Sequence, residues 1–279
     1  MSEDRKEPNG NGRRQNGRLS GATVLRTTAI VVVGLVAGSF AFAASPAGNE
    51  EAPSYSKSDV FFELNHTDGD LGIHARVDGD GWHRLAIDGP GVGRLLDVDV
   101  KGRLKMQGLT ELFTESAEPS FDELPPEQFF ERFPEGVYTL SGTAIDGKTL
   151  SGNARLSHVM PAPPGNLKVS GLSFPKDCDE GPVPMATKPV TITWDPVTKS
   201  HPKIGKTGAV KVVNYEMVVA RRQPTSLALS VDLPPTADSF QIPPGFIALD
   251  SGDGFKFEIV VREASGNQTV FETCFKVKR

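Results

Sequence analysis

From residue 60 onward, apolar and polar positions alternate with a period of two. Val60, Phe62 and Leu64 share one face of Val60–His66. The same alternation recurs in Leu71–Val77, Leu96–Val100, Val137–Ala144 and Thr149–Val159. Such alternation marks half-buried strands, whose successive side chains point to opposite faces. Asp-Gly steps separate the runs at Asp68-Gly69, Asp78-Gly79-Asp80-Gly81 and Asp146-Gly147, and each predicts a turn. Short strands punctuated by turns predict a sandwich. One stretch departs from the period. Phe129, Phe130 and Phe133 lie at i, i+1 and i+4 behind Pro125-Pro126, which predicts a short helix that begins at the prolines. It reads as a plug for one end of the sandwich, with an aromatic docking surface as the rival.

A Pro-rich run, Pro161-Ala-Pro-Pro-Gly-Asn166, interrupts the strands. Proline stiffens such a connection and keeps it out of strand pairing. Beyond it, Val190-Thr-Ile-Thr-Trp-Asp-Pro196 resembles the second strand of a fibronectin type III domain, with Trp194 as the core Trp. Asn214–Val219 resembles the next strand, with Tyr215 in the expected place. Ser239–Gly245 and Phe255–Arg262 resemble the fifth and sixth strands, and Ala264–Asn267 the turn before the last one. The resemblance covers about 115 residues by order and spacing. It departs from the family at Phe257, which stands where a strand Tyr is usual. It implies a binding, spacer or adhesion module, since fold alone does not give function. Residues 58–160 are similar to bacterial immunoglobulin-like modules in pattern only. Together the pair resembles a bacterial secreted protein with a C-terminal fibronectin type III-like domain.

The N-terminal segment reads as an address. Residues 1–28 carry six basic and three acidic side chains, and Thr27–Ala44 carries none. The apolar core Ala29–Ala43 is short for a ~20-residue span and ends in small residues, Ala41-Phe-Ala-Ala44. That order is a secretory signal cleaved after Ala43 or Ala44, with an uncleaved membrane anchor as the alternative. Residues 45–57 are small and polar, a tether. The expected organisation is therefore 1–43 signal, 44–57 tether, 58–160 acidic β-sandwich with a helical insert, 161–166 linker, and 167–279 fibronectin type III-like domain. The fold class is all-β, with two tandem sandwiches.

Charge sharpens this division. The whole chain carries a net charge of −5. Lys57–Arg155 holds 18 acidic and 10 basic side chains, while the C-terminal block has a small basic excess. That acidity argues against a phosphate-binding footprint and hence against nucleic acid. The 29 Gly and 22 Pro exceed the usual share without a repeat, which fits turns rather than collagen. Cys178 and Cys274 are the two cysteines. An even count in an exported chain predicts a disulfide between them, with two free thiols or a metal pair as the alternatives, the latter disfavoured by the lack of nearby His partners. The disulfide would pin the segment before the Trp strand to the last strand, unlike the inter-sheet bond of antibody domains.

Candidate chemistry is sparse. Asp68, Asp70, Asp78 and Asp80 could offer oxygen ligands to calcium, the one cofactor considered. In a meander their two turns would lie at opposite ends of the middle strand, so they would not share one site, and Asp-Gly turn chemistry is the competing reading. In the register expected for that meander, His74 faces Glu63, His66 faces Leu71 and His83 faces Arg76. No two histidines face one another, which favours a Glu63–His74 cross-strand pair over a metal cluster. Glu115, Glu118, Asp122, Glu123, Glu127, Glu131 and Glu135 could supply a glycosidase pair or simply a solvated face. Trp82 could stack a sugar or fill a core. Lys199, His201, Lys203 and Lys206 lie in a loop after the Trp strand that could meet a protein or an anionic envelope polymer. The same loop could instead contact the acidic block, within the chain or between chains, or simply be solvated. No catalytic motif stands out. The sequence thus predicts an exported, non-enzymatic binding or structural module in the periplasm or outside the cell. It would keep no membrane segment after cleavage. The rivals are an envelope carbohydrate hydrolase and a calcium-dependent sugar-binding module.

Overall fold

The computed structural model describes residues 54–175, 178, 182–221, 227–250 and 252–278. The signal segment and the tether up to residue 53 lie outside these residues. The described chain is all-β, with two sheets in a sandwich-like arrangement. Its strands build two lobes, each around its own hydrophobic core.

The first lobe contains β1 (Lys57–Asn65), β2 (Asp70–Gly89), β3 (Gly93–Asp99), α1 (Leu104–Gln107), β4 (Leu109–Glu115), α2 (Pro126–Arg132), β5 (Gly136–Ala144) and β6 (Thr149–Leu156). Strand β2 is the spine. Its first part pairs with β1 and β4, and its second part with β3 and β5. Val60, Phe62 and Leu64 of β1 and Leu71, Ile73, Ala75 and Val77 of β2 face the core, as their alternation predicts. Helix α2 starts behind Pro125 and buries Phe129 and Phe130. Both rings lie edge-on to Phe62, with centroids 6.0 and 5.1 Å away. The aromatic run is therefore a plug, not a docking surface. Burying two Phe side chains contributes on the order of 3–6 kcal/mol before entropy.

Two details differ from expectation. Asp78-Gly-Asp-Gly81 is not a turn, because β2 runs through it. The ladder with β4 shifts register between Asp78 and Trp82, so the segment is where the strand changes partners. The glycines admit close neighbours there: a Cβ on Gly79 would meet Tyr55 at 3.1 Å. His83 consequently faces β3 and β5 territory rather than Arg76. The β1–β2 register also differs, by two residues. The strands end at Asn65 and Asp70, placing Phe61 opposite His74 and Leu64 opposite Leu71. The turn keeps four residues but sits one position earlier, closed by the Gly69 N–H to the Asn65 carbonyl (2.9 Å) and by the Asn65 amide on Asp68 (3.0 Å). A two-residue shift preserves which face each side chain occupies. Glu63 and His74 therefore still share a face, now diagonally.

The second lobe contains β7 (Gly165–Val169), β8 (Leu172–Ser173), β9 (Met185–Ala186), β10 (Thr191–Asp195), β11 (Val212–Arg221), β12 (Leu227–Leu233), β13 (Ser239–Gln241), α3 (Pro244–Ile247), β14 (Phe255–Glu263) and β15 (Gln268–Val277). One layer has the order β13-β10-β7-β8, and the other contains β12-β11-β14-β15. Trp194 packs edge-on to Tyr215 at 5.5 Å, and the Tyr215 hydroxyl accepts the Val197 N–H at 2.8 Å. Phe257 is fully buried, so the absent hydroxyl is replaced by apolar packing. Cys178 and Cys274 form the expected disulfide, with Cα atoms 5.4 Å apart.

The lobes share a sheet. β15 pairs in parallel with β1 through Glu63↔Gln268, Leu64↔Thr269 and Asn65↔Val270. One sheet therefore passes from β12 to β6 across both lobes.

Candidate functional site

The joint between the lobes concentrates the buried polar groups. Asn267, at the end of the β14–β15 turn, is fully buried. Its side-chain amide donates to the Ser157 carbonyl (2.7 Å) and the Val159 carbonyl (3.0 Å), and its Oδ1 accepts the Phe62 N–H (2.9 Å). The Thr269 hydroxyl donates to the Pro161 carbonyl at 2.7 Å. Thr67 Oγ1 donates to the Glu272 carbonyl (3.0 Å) and accepts the Glu272 N–H (2.9 Å). The His66 N–H donates to the Val270 carbonyl at 2.8 Å. These groups are paired across the seam, which keeps them from carrying a desolvation penalty.

The loop after the Trp strand forms a second seam. Its Ile204 belongs to the first lobe's core. His201 is buried; its Nδ1 accepts the Lys203 and Ile204 N–H groups at 3.2 and 2.9 Å, and its Nε2 lies 3.3 Å from His66 Nδ1. Burial, then His66 and Lys203, lowers the His201 pKa to about 4. The His201 N–H donates to the Met160 carbonyl and the Lys206 N–H to the His158 carbonyl, both at 2.8 Å. Gly205 permits this approach, since a Cβ there would sit 2.1 Å from the His158 carbonyl oxygen. Lys206 also pairs with Glu135. Of the four loop residues named from sequence, His201 and Lys206 therefore serve the contact with the acidic block. Lys199 and Lys203 remain exposed.

A row of charged side chains crosses the shared sheet on the face away from the cores. Arg262 bonds Glu216 and donates to Gln268 Oε1 at 2.8 Å, and Gln268 donates to Glu63. Beside Glu63 stand His74 and Glu118. One ligand atom from each of these three residues lies within 4.8 Å of the others. His74 is 3% exposed, stacked on Phe61 (5.2 Å) and tilted against Phe113 (5.5 Å). Neither of its ring nitrogens has a hydrogen-bond partner; Nε2 lies 3.6 Å from Glu118 Oε1. Glu118 arrives from the segment after β4, which is held to β2 by the Ser116 N–H on the Ile73 carbonyl (3.1 Å) and to the β1–β2 turn by the Phe121 N–H on the Gly69 carbonyl (2.9 Å). Its carboxyl rests on Gly72, where a Cβ would meet Oε1 at 2.4 Å.

This neighbourhood disfavours charge. Burial, then Glu63, Asp70 and Glu115, raises the Glu118 pKa to about 7. Burial, then Asp68 and Glu63, raises Asp70 to about 6. Burial raises Glu63 against the Gln268 hydrogen bond, and burial lowers His74.

The other sequence candidates are dispersed. Asp68 and Asp70 flank the first turn, while Asp78 and Asp80 lie exposed farther along β2. Eight residues of strand separate Asp70 from Asp78, roughly 27 Å. Trp82 is fully buried in the first core, so it presents no stacking surface. Glu115, Asp122, Glu123, Glu127 and Glu131 are exposed. The Glu63–His74–Glu118 grouping is half legible: strand alternation puts Glu63 and His74 on one face, which the shifted register keeps diagonally, but Glu118 is placed by a non-local loop. The His66–His201 contact joins two lobes and has no signature in strand register.

No family model matches the chain, and no curated protein matches it. Among solved structures it is similar to a tetra-tandem repeat in the extending region of a large adhesion protein. That match has 9% identity and a TM-score of 0.25, covering 80% of this chain and 50% of the other. It is also similar to Tp47, the 47-kilodalton lipoprotein of Treponema pallidum, with 13% identity and a TM-score of 0.29, covering 82% and 52%. A third is a 1.5-MDa bacterial ice-binding adhesin, with 11% identity and a TM-score of 0.22, covering 82% and 66%. The chain spans about half the length of the first two. Similarity at this level assigns neither activity nor partner. Among the described residues, no helix is long and apolar enough to cross a membrane.

Proposed function

We propose that the chain is an exported, non-enzymatic binding or structural module of the cell envelope or extracellular space. Its working part is two tandem β-sandwich domains, residues 58–160 and 167–279, the second of fibronectin type III type. The observation that carries this reading is the shared sheet at the joint. Parallel pairing of β1 with β15, locked by Asn267, makes a stiff two-lobed body. A stiff body suits a spacer or a presenting scaffold, whereas flexible linkers let domains move independently. The disulfide supports an oxidising compartment. Lys199 and Lys203 are the exposed cations offered to an anionic polymer or acidic protein.

The test has two parts. Tagged full-length protein is expressed in a bacterial host, fractionated, and its N-terminus sequenced. The expected result is protein outside the cytoplasm beginning at Ala44 or Ser45. Retention in the cytoplasm with an intact N-terminus overturns export. The purified protein is then assayed for turnover of envelope polysaccharides and for binding to anionic envelope polymer. Turnover abolished by Glu118→Gln would overturn the non-enzymatic reading. Binding unchanged by Lys199→Glu with Lys203→Glu would remove that loop as the contact.

A further inference from the structure

We propose that Glu63, His74 and Glu118 form a binding site for a first-row divalent cation of the zinc type, seated beside the joint. The inference goes beyond the spacer reading and stands whether or not that reading holds.

Two independent observations carry it. The first is the convergence of one imidazole and two carboxylates within 4.8 Å. The second is His74 itself, 3% exposed and with both ring nitrogens lacking a hydrogen bond. A buried imidazole without partners costs free energy, and Glu118 Oε1 is a second buried atom in the same condition. A cation between them would satisfy both. The packing also has the form of a built site. Phe61 and Phe113 flank the imidazole and fix its plane. Gly72 leaves the space that the Glu118 carboxyl fills. Gln268 donates to Glu63, orienting one carboxylate from outside the ligand set.

The donor set selects the ion. Imidazole with carboxylates suits zinc and its neighbours, whereas calcium takes six to eight oxygens. A tetrahedral shell at ~2.0–2.2 Å from the metal places donors roughly 3.4 Å apart. Nε2 and Oε1 already stand at 3.6 Å, and the Glu63 carboxylate lies within 4.8 Å of both, so a side-chain rotation at Glu63 completes the approach. Three protein ligands leave a fourth position for water or for a group of a partner. The ion would tie β1, β2 and the segment after β4 together, with Gln268 linking it to β15.

The test is a titration of chelator-stripped full chain with zinc chloride, followed by calorimetry and thermal melting, with cobalt absorption as a coordination readout. One equivalent of zinc is expected, with a melting temperature raised by about 5–10 °C at a hundredfold excess over Kd. Two variants are measured in parallel. Glu118→Gln keeps the shape and removes a charged ligand. His74→Phe keeps the stack between Phe61 and Phe113 and removes the nitrogen. Each should weaken zinc at least tenfold and erase the visible cobalt bands, while Asp78→Asn with Asp80→Asn should change neither. Absence of stoichiometric zinc overturns the proposal, as does zinc binding of wild-type strength in both ligand variants. Stabilisation by millimolar calcium without any by zinc also overturns it.

Discussion

Replacing Asn267 tests the joint at its most connected residue. The side chain makes three hydrogen bonds from a fully buried position, one to the Phe62 N–H and two to carbonyls of the segment leaving β6. Asn267→Ala strands all three partners. The Phe62 N–H lies at a fully buried residue and bears the whole penalty of an orphaned donor, about 1–3 kcal/mol. Ser157 and Val159 are only partly buried, so water recovers part of theirs. The total loss is about 3 kcal/mol, a large share of a typical 5–15 kcal/mol stability. Asn267→Asp separates the contributions. It keeps an acceptor for Phe62 but sets a carboxylate against two carbonyl oxygens. At neutral pH it should cost at least as much as the alanine, with recovery in acid as the carboxylate is protonated. The assay is urea unfolding of the full chain followed by tryptophan fluorescence, since Trp82 and Trp194 report one lobe each. Wild type should unfold in one transition, and the variants should shift it or split it in two. A loss below about 1 kcal/mol with cooperativity unchanged would refute the joint as an energetic coupling.

Three further outcomes follow from the same geometry. His201 has its pKa lowered to about 4 from 6.5, so the unfolded chain binds more protons between these values. Stability should therefore fall as pH drops from about 6.5 to 4, by at most about 3 kcal/mol. His201→Asn should flatten that slope in acid-unfolding curves, and an unchanged slope would contradict the burial of this ring. Opening the Cys178–Cys274 bridge, with 96 residues of separation, should lower stability by about 4.7 kcal/mol in the chain-entropy model. Denaturant midpoints with and without reductant measure this, and equal midpoints would be the contrary result. Gly72→Ala would push the Glu118 carboxyl away from His74. Because the displaced atoms end a flexible side chain, melting in chelator should change little while zinc stabilisation disappears.

Much of the fold could be read along the chain because strand period and turn chemistry are local. Val60, Phe62 and Leu64 face the core as their alternation required, and Pro125-Pro126 begins the helix that buries Phe129 and Phe130. Asp146-Gly147 closes the β5–β6 hairpin, with the Lys148 N–H on Asp146 at 3.0 Å. The second Asp-Gly pair shows where local chemistry gives way. Asp78–Gly81 has the composition of a turn, but β2 is paired with β1 and β4 up to Asp78 and with β5 from Trp82, and this tertiary pairing on both sides carries the strand through. The site is less legible for the same reason. Glu118 reaches His74 from the segment that follows β4, whose last residue Glu115 pairs with His74 across 41 residues of chain, and Asn267 meets Phe62 across 205 residues. Neither distance leaves a trace in sequence periodicity. The acidic character of the first block was visible, and one of its meanings is now specific: Glu135 holds Lys206 at the second seam.

The central claim is that the two lobes share one sheet and open only together. Residue-resolved hydrogen exchange of the full chain tests it at the amides that cross the joint, Phe62 to Asn267 Oδ1 and His66 to the Val270 carbonyl. The account predicts that both exchange only through global unfolding, with protection equal to that of core amides in β2 and β14. Exchange of these two amides orders of magnitude faster than the core, with the rest of each lobe still protected, would contradict it.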